Sequence, residues 1–336
     1  MADRPKILLL TLGGTISSSM KIGEGVVPSL TAQDLIQKLP EKLLEEVNIK
    51  AIHFKAVPSL GLTFTDLIKI GNEILFYFDN EGFDGAVIAQ GTDAMEETSF
   101  FFHSTIARNQ PIVVTGAMRN PTLLGSDGLM NLYHAILVAS NEKAKGLGTL
   151  VVMNERIHLA PFVQKLHSYA LDAFKSPLLG PIGFISEDEV HILLKPINER
   201  FVMPLENLVK YSKEPKVALH VATLNDYEEL LKSYIQNNFD GLVIEGGGGG
   251  HIRPELSDLV INIASRIPVV LCSRTRIGKI LKRTYSYKGG EIELLRGGLI
   301  SGGYLNSLKA RVLLYILIKS NMNKEEIKKI FEKYYN

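Results

Sequence analysis

Short apolar runs alternating with amphipathic stretches restrict this chain more than any other feature. Ile7-Leu8-Leu9-Leu10-Thr11-Leu12, Ala86-Val87-Ile88-Ala89, Ile112-Val113-Val114 and the segment Thr149 to Met153 contain almost no polar residue. Strands built from such runs are buried on both faces. Helical patterns separate them: a start at Thr31-Ala32-Gln33-Asp34-Leu35-Ile36 with Thr31 as cap, Asp66 to Phe78, Thr98 to His103, and Asp127 to Ser140. Val47 to Val57 alternates as a further strand. Strands and helices taking turns this regularly imply an α/β fold with a doubly wound, largely parallel sheet in a large N-terminal domain.

Past Met153 the pattern loosens into hairpin-like material as far as Pro196, which closes the first domain at 1–195. Pro196 to Pro215 carries three prolines and mixed charge and reads as a connector, residues 196–214. A smaller α/β domain is expected over 215–336. It has strands at Val217 to Val221, Gly241 to Ile244 and Val269 to Leu271, and helices through Leu231, from Pro254, from Leu305 to Lys319 and from Lys324.

Composition removes several function classes. Lys and Arg number 37 against 36 Asp and Glu, so no field favours nucleic acid or an anionic membrane, and neither is expected as a partner. Cys272 is the only cysteine, which rules out an intramolecular disulfide and fits a reducing cytoplasm. The run Ile7 to Leu12 is too short for a signal sequence or a membrane span. The histidines include no H-E-x-x-H and no zinc spacing with cysteine, so no metal is expected. Gly246 to Gly250 is not followed by Lys-Ser or Lys-Thr, and Gly13-Gly14 does not extend to G-x-G-x-x-G. A phosphate cradle and a dinucleotide site are therefore disfavoured. Close backbone approach at a strand end explains both glycine groups better. No G-x-S-x-G elbow occurs.

What remains are two threonines, each in a turn after a buried strand. Gly91-Thr92-Asp93-Ala94-Met95-Glu96-Glu97-Thr98 follows the strand at Val87, and Gly13-Gly14-Thr15 follows the first strand. Ligands of open α/β sheets sit at this edge. Taken alone, the Thr92-Asp93 stretch has two readings. It is a helix cap with Glu96 and Glu97 favouring the helix N-terminus, or it is part of a site. Adjacent strands would bring the two turns together. A threonine hydroxyl is a weak nucleophile until a base takes its proton. An amine in a desolvated site, oriented by Asp93, would serve, but spacing alone does not say which lysine. The Gly- and Ser-rich stretch from Ser17 to Leu30 is a candidate lid.

These turns resemble the signature segments of the bacterial-type L-asparaginase/glutaminase family. The matching segments are Gly13-Gly14-Thr15-Ile16, Gly91 to Thr98, Gly116-Ala117-Met118-Arg119, Asp127-Gly128-Leu129-Met130-Asn131-Leu132 and Leu305 to Leu314. The resemblance runs in order along nearly the whole chain. It implies hydrolysis of a side-chain carboxamide to a carboxylate and ammonia without a cofactor. It also implies a homodimer or homotetramer in which a partner's C-terminal domain completes each site. By this resemblance Thr15 matches the nucleophile beside the lid, Thr92 the second threonine, and Asp93 its acidic neighbour. Lys165 matches the basic lysine, placed by counting back from Asp172-Ala173-Phe174-Lys175-Ser176. Substrate binding is carried to Ser59, Gly91, Asp93 and Ala117, with Ser59 on the α-carboxylate and the Gly116-Ala117 turn receiving the amide oxygen.

The chain also departs from the family. Residues 16 to 30 contain no tyrosine, where the family lid has one, and Leu60 stands where a polar residue follows the binding serine. The partner asparagine falls in the glycine run, and an acidic partner residue falls near Tyr285. Of the usual ligands for the α-amino group, Asp93 remains. The sequence therefore points to a cytoplasmic, homo-oligomeric amidohydrolase of a small-molecule amide, L-asparagine first. Thr15 is expected to attack the carboxamide carbon while Lys165, held by Asp93, activates Thr92, and sequence alone leaves open which threonine attacks. Rival readings are hydrolysis of glutamine or another amide, including an ammonia-supplying amidotransferase subunit, and a non-catalytic ligand-binding protein on the same scaffold.

Overall fold

The computed structural model describes residues 4–21, 25–28, 31–197 and 199–336. The chain divides into two compact units, Met1–Asn198 and Glu199–Asn336.

In the first unit β1 (Lys6–Thr11) leads into a hairpin of β2 (Ser18–Lys21) and β3 (Gly25–Pro28). This hairpin lies in the candidate lid, of which residues 22–24 and 29–30 are outside the described residues. There follow α1 (Ala32–Ile36), α2 (Glu41–Glu46), β4 (Asn48–His53), α3 (Phe64–Asn80), β5 (Gly85–Ala89), α4 (Met95–Thr105), β6 (Ile112–Thr115), α5 (Gly128–Ala139) and β7 (Thr149–Met153). The loosened region beyond holds β8 (Arg156–Leu159), β9 (Gln164–Lys165), β10 (Phe174–Lys175), β11 (Gly183–Ser186) and β12 (Glu189–Ile192). Eight strands form one sheet in the order β12-β11-β8-β7-β6-β5-β1-β4. The run from β4 to β7 is parallel, and β8, β11 and β12 add antiparallel strands at one edge.

Helices cover both faces. Leu35 of α1, Leu43 of α2 and Leu132, Ala135 and Ile136 of α5 share a core with Ile7, Leu9, Val87, Val113, Leu150 and Val152. Within each strand these residues are two apart or single and share one face of the sheet because side chains alternate. On the other face α4 packs on β6 and β7, and α3 packs on α4. Phe100, Phe101 and Phe102 are wholly buried there. Helix α3 begins two residues before the expected Asp66, because Thr63 caps it and Asp66 returns the bond to the Thr63 main chain.

The second unit contains α6 (Leu205–Val209), β13 (Val217–Val221), α7 (Glu228–Gln236), β14 (Gly241–Gly246), α8 (Ser257–Arg266), β15 (Val269–Ser273), α9 (Glu291–Arg296), β16 (Ile300–Ser301), α10 (Ser307–Lys319) and α11 (Lys324–Tyr334). The proline-marked stretch 196–214 is not featureless: α6 lies within it, with Leu205 and Leu208 buried. The sheet is parallel throughout, in the order β13-β14-β15-β16. Helix α10 starts at Ser307 rather than Leu305, since the Asn306 side chain accepts the Lys309 N–H as its cap. Among the described residues no helix is long and apolar enough to cross a membrane.

Candidate active site

Sheet register brings the signature turns together. Thr11 of β1 is level with Ala89 of β5, and Ala89 is level with Thr115 of β6. The turns after these three strands therefore leave the same edge side by side. The chain's winding reverses at β1 and β5, because β4 lies on one side of β1 while β5, β6 and β7 lie on the other. That reversal is where a doubly wound sheet opens a crevice at its carboxyl edge.

The Gly13-Gly14-Thr15 turn fits there because both glycines lack a side chain. Gly13 and Gly14 have φ of +89° and +86°, a region that favours glycine. A Cβ on Gly14 would stand 2.2 Å from the Gly91 nitrogen, and one on Gly13 2.8 Å from the Val57 nitrogen. The first turn thus touches the second through bare backbone. Thr15 opens a short 3₁₀ turn and is half-buried, while its neighbour Ile16 is buried in the core of α5.

Neither Thr92 nor Asp93 is the N-cap of its helix: that position in α4 is Ala94, whose side chain makes no capping bond. Both residues instead meet Lys165, whose Nζ lies 2.8 Å from Thr92 Oγ1 and 2.6 Å from Asp93 Oδ1. Thr92 is buried, the Lys165 side chain is 16% exposed, and that of Asp93 is 66% exposed. The amine is thus held between a sheltered hydroxyl and a carboxylate facing solvent. Ser59 is buried beside them, and its Oγ accepts the Ala94 N–H at 3.1 Å. A hydroxyl that accepts one bond still has its proton to donate. A Cβ on Gly91 would lie 3.1 Å from Ser59 Oγ, so a side chain there would press the serine back by a few tenths of an ångström. Leu60 next to it is 73% exposed. Ala117 is buried, and a Cβ on Gly116 would meet the Gln90 carbonyl at 2.5 Å and Thr92 Cγ2 at 3.3 Å. Thr15, Ser59, Gly91, Thr92, Asp93, Ala117 and Lys165 therefore all belong to the first unit, around the ends of β1, β5 and β6.

Two groups were not among the expected site residues. Glu96, read from sequence as a charge suited to a helix N-terminus, is buried, and its Oε1 accepts the Lys165 main-chain N–H at 2.8 Å. It ties β9 to α4 at the main chain of Lys165. The signal was present: Phe100, Phe101 and Phe102 in succession point to different sides of the helix, so a helix that buries all three shelters most of its polar residues too. Asp127 and Asn131 form the second group. Asp127 accepts the N–H groups of Met118 and Arg119, and Asn131 Nδ2 donates to the Gly116 carbonyl at 3.0 Å.

The expected partner-facing features lie in the second unit. Gly246 to Gly250 folds back on itself, with Gly247 and His251 exchanging two main-chain bonds of 2.8 Å. A Cβ on Gly246 would lie 2.7 Å from the Gly250 carbonyl carbon. Tyr285 is held by its main chain, whose N–H donates to buried Glu291 at 2.8 Å. Its ring stands edge-on to His251, with centroids 4.8 Å apart. Glu291 Oε2 is 3.3 Å from His251 Nε2, an ion-pair distance without hydrogen-bond alignment. Burial would raise the Glu291 carboxyl, but the Tyr285, Glu291 and Thr284 N–H groups and His251 together hold it below the usual range.

Comparison with known proteins agrees with this geometry. Residues 6–198 match the family described as asparaginase, N-terminal, and residues 216–331 match the glutaminase/asparaginase C-terminal domain. The chain is 32% identical to an L-asparaginase of Bacillus licheniformis over 97% of its own length and 98% of the other's. It is also 32% identical to a probable periplasmic L-asparaginase of Haemophilus influenzae, covering 98% of this chain and 93% of that one. The crystal structure of a probable cytoplasmic L-asparaginase from Campylobacter jejuni superposes with a TM-score of 0.87 at 29% identity, covering 98% of this chain and all of the other. With both domains matched in order and the paired threonine turns formed at adjacent strand ends, the chain belongs to the asparaginase family and is an L-asparaginase-like amidohydrolase.

Proposed function

We propose that this protein hydrolyses L-asparagine to L-aspartate and ammonia through a threonine ester. The observation that carries the reading is the Lys165 amine set between Thr92 Oγ1 and Asp93 Oδ1, at 2.8 and 2.6 Å, beside the turn that presents Thr15. The Thr15 hydroxyl adds to the carboxamide carbon and its proton passes to the leaving nitrogen, which departs as ammonia. Water then cleaves the ester, returning the hydroxyl and releasing the carboxylic acid. Thr92, Lys165 and Asp93 form the path along which protons move. The Gly116-Ala117 turn receives the amide oxygen as charge develops on it. Ser59 binds the α-carboxylate, with Gly91 and Asp93 completing the substrate contacts.

A specific observation favours a second assignment of the attacking group: the amine bonds to Thr92, so Thr92 is the hydroxyl in direct reach of the base. Trapping the ester with a slow substrate and locating it by peptide mass spectrometry separates the two. Acylation of Thr15 supports the first assignment, and acylation of Thr92 replaces it. Ammonia release from L-asparagine by purified protein tests the activity itself. Thr15→Ala, Thr92→Val and Lys165→Met should each abolish it while the fold persists. We further propose a cytoplasmic homodimer or homotetramer in which the partner's glycine run and Tyr285 region complete each site. An active monomer in sedimentation would refute the shared site.

A further inference from the structure

We propose that the first turn of α5, Asp127-Gly128-Leu129-Met130-Asn131, is a positioning device. It sets the Thr15 turn and the Gly116-Ala117 turn in register for attack on the amide. This rests on the threonine-ester reading above and extends it to residues that touch no substrate.

Asp127 is the N-cap of α5, yet its side chain makes no capping bond to a main-chain N–H of that helix. It turns outward to the loop after β6. Its two oxygens accept the Met118 N–H at 3.1 and 3.0 Å, and Oδ1 also accepts the Arg119 N–H at 2.9 Å. One helical turn on, Asn131 Nδ2 donates to Asp127 Oδ2 at 2.9 Å and to the Gly116 carbonyl at 3.0 Å, while its Oδ1 accepts the Asn154 N–H at 2.9 Å. Both side chains are buried, so the loop from Gly116 to Arg119 hangs on a fixed frame rather than on water.

Gly128, between them, fixes the other turn. A Cβ there would stand 3.0 Å from Ile16 Cγ1 and 3.2 Å from Ala117 Cβ. Ile16 follows Thr15 directly, and Ala117 belongs to the turn that receives the amide oxygen. Each therefore packs against the same bare position on α5. The two groups that must meet one substrate carbon from different loops share a single rigid support, which preorganised catalysis requires.

Gly128→Ala tests this, because its effects on fold and on rate point in opposite directions. Alanine favours a helix over glycine, so a merely structural Gly128 predicts a melting temperature that holds or rises and unchanged turnover. Positioning predicts a kcat for L-asparagine reduced about tenfold with KM within about twofold, because the neighbours must yield by a few tenths of an ångström and rate is steep in geometry. Wild-type kcat in Gly128→Ala overturns the proposal. If the variant also melts early, Ile16→Ala/Gly128→Ala compared with Ile16→Ala alone, below both melting temperatures, decides: the double variant lacks the Cγ1 that the new Cβ meets, so its kcat matches that of Ile16→Ala if position was lost. A further fall would show simple destabilisation and overturn the proposal. Wild-type protein that releases ammonia from no amide would instead remove the amidohydrolase reading, which keeps the two failures distinct.

Discussion

Gly14→Ala is the sharpest perturbation the site offers, because its consequence can be worked from one contact. The new Cβ would lie 2.2 Å from the Gly91 nitrogen and 2.5 Å from its Cα, whereas ordinary contact begins at 3.4 Å. Both obstacles are main chain, so no side chain can swing aside. The Thr15 and Thr92 turns must separate by about 1.2 Å, the difference between those two values. A displacement of about 1 Å costs on the order of a hundredfold in rate, or about 2.7 kcal/mol of transition-state stabilisation. The positive φ adds roughly 1–2 kcal/mol of backbone strain. Gly82→Ala separates these contributions: Gly82 has φ of +65° with nothing within 4 Å of its Cβ position. That control should lose stability by the strain alone and keep full turnover. Ammonia release and thermal melting, measured on both variants, give the comparison. Gly14→Ala with kcat within threefold of wild type would refute the idea that this backbone contact holds the two turns in working position.

Three other outcomes are expected. Glu96→Ala should reduce kcat by about ten- to a hundredfold, by removing the acceptor that fixes the Lys165 main chain, whereas Glu96→Gln, which retains an acceptor oxygen, should stay within about threefold; equal loss in both would show that the charge matters instead. Burial, then the charges of Lys175 and Arg156, push His158 down to about 4, so it contributes about 3 kcal/mol of stability that is fully present above pH 6.5 and lost as pH falls towards 4; an NMR titration of its ring with a midpoint near 6.5 would contradict this. Since Ser59 still offers a hydroxyl while Leu60 and the glycine run supply no side-chain acceptor for an ammonium, L-asparagine should exceed L-glutamine, D-asparagine and an N-acylated asparagine in kcat/KM; a tenfold advantage for the acylated compound, about 1.4 kcal/mol, would reverse that order.

Most of the architecture was legible because burial on both faces leaves a direct mark on a strand. The runs at Ile7, Val87, Val113 and Thr149 are almost wholly apolar since helices cover them on either side. Helix boundaries were legible only where a cap announces them. Thr31 does so with Asp34. Thr63 does so with Asp66, although Asp66 by itself suggests a helix start, because it is a good first-turn residue as well as a capping partner. The small strands β9 and β10 left no pattern, since two residues are too few for a period.

The site divides along the same physical line. Thr15, Thr92 and Asp93 were visible because they sit in turns that need glycine for backbone approach, and Gly13, Gly14 and Gly91 mark those turns. Their side chains left two readings open, cap or site, which only a third group could decide. That group is Lys165, whose amine reaches Thr92 across 73 residues, and a long-range contact of this kind has no period or spacing to reveal it. Resemblance placed the lysine; three-dimensional contact shows what it touches. Glu96 shows the limit from the other side. Its place in the motif was plain, but an acid near a helix N-terminus already has an adequate local explanation, and that explanation concealed its bond to the Lys165 main chain. Where a residue's local role is sufficient, its tertiary role becomes visible only through what it touches.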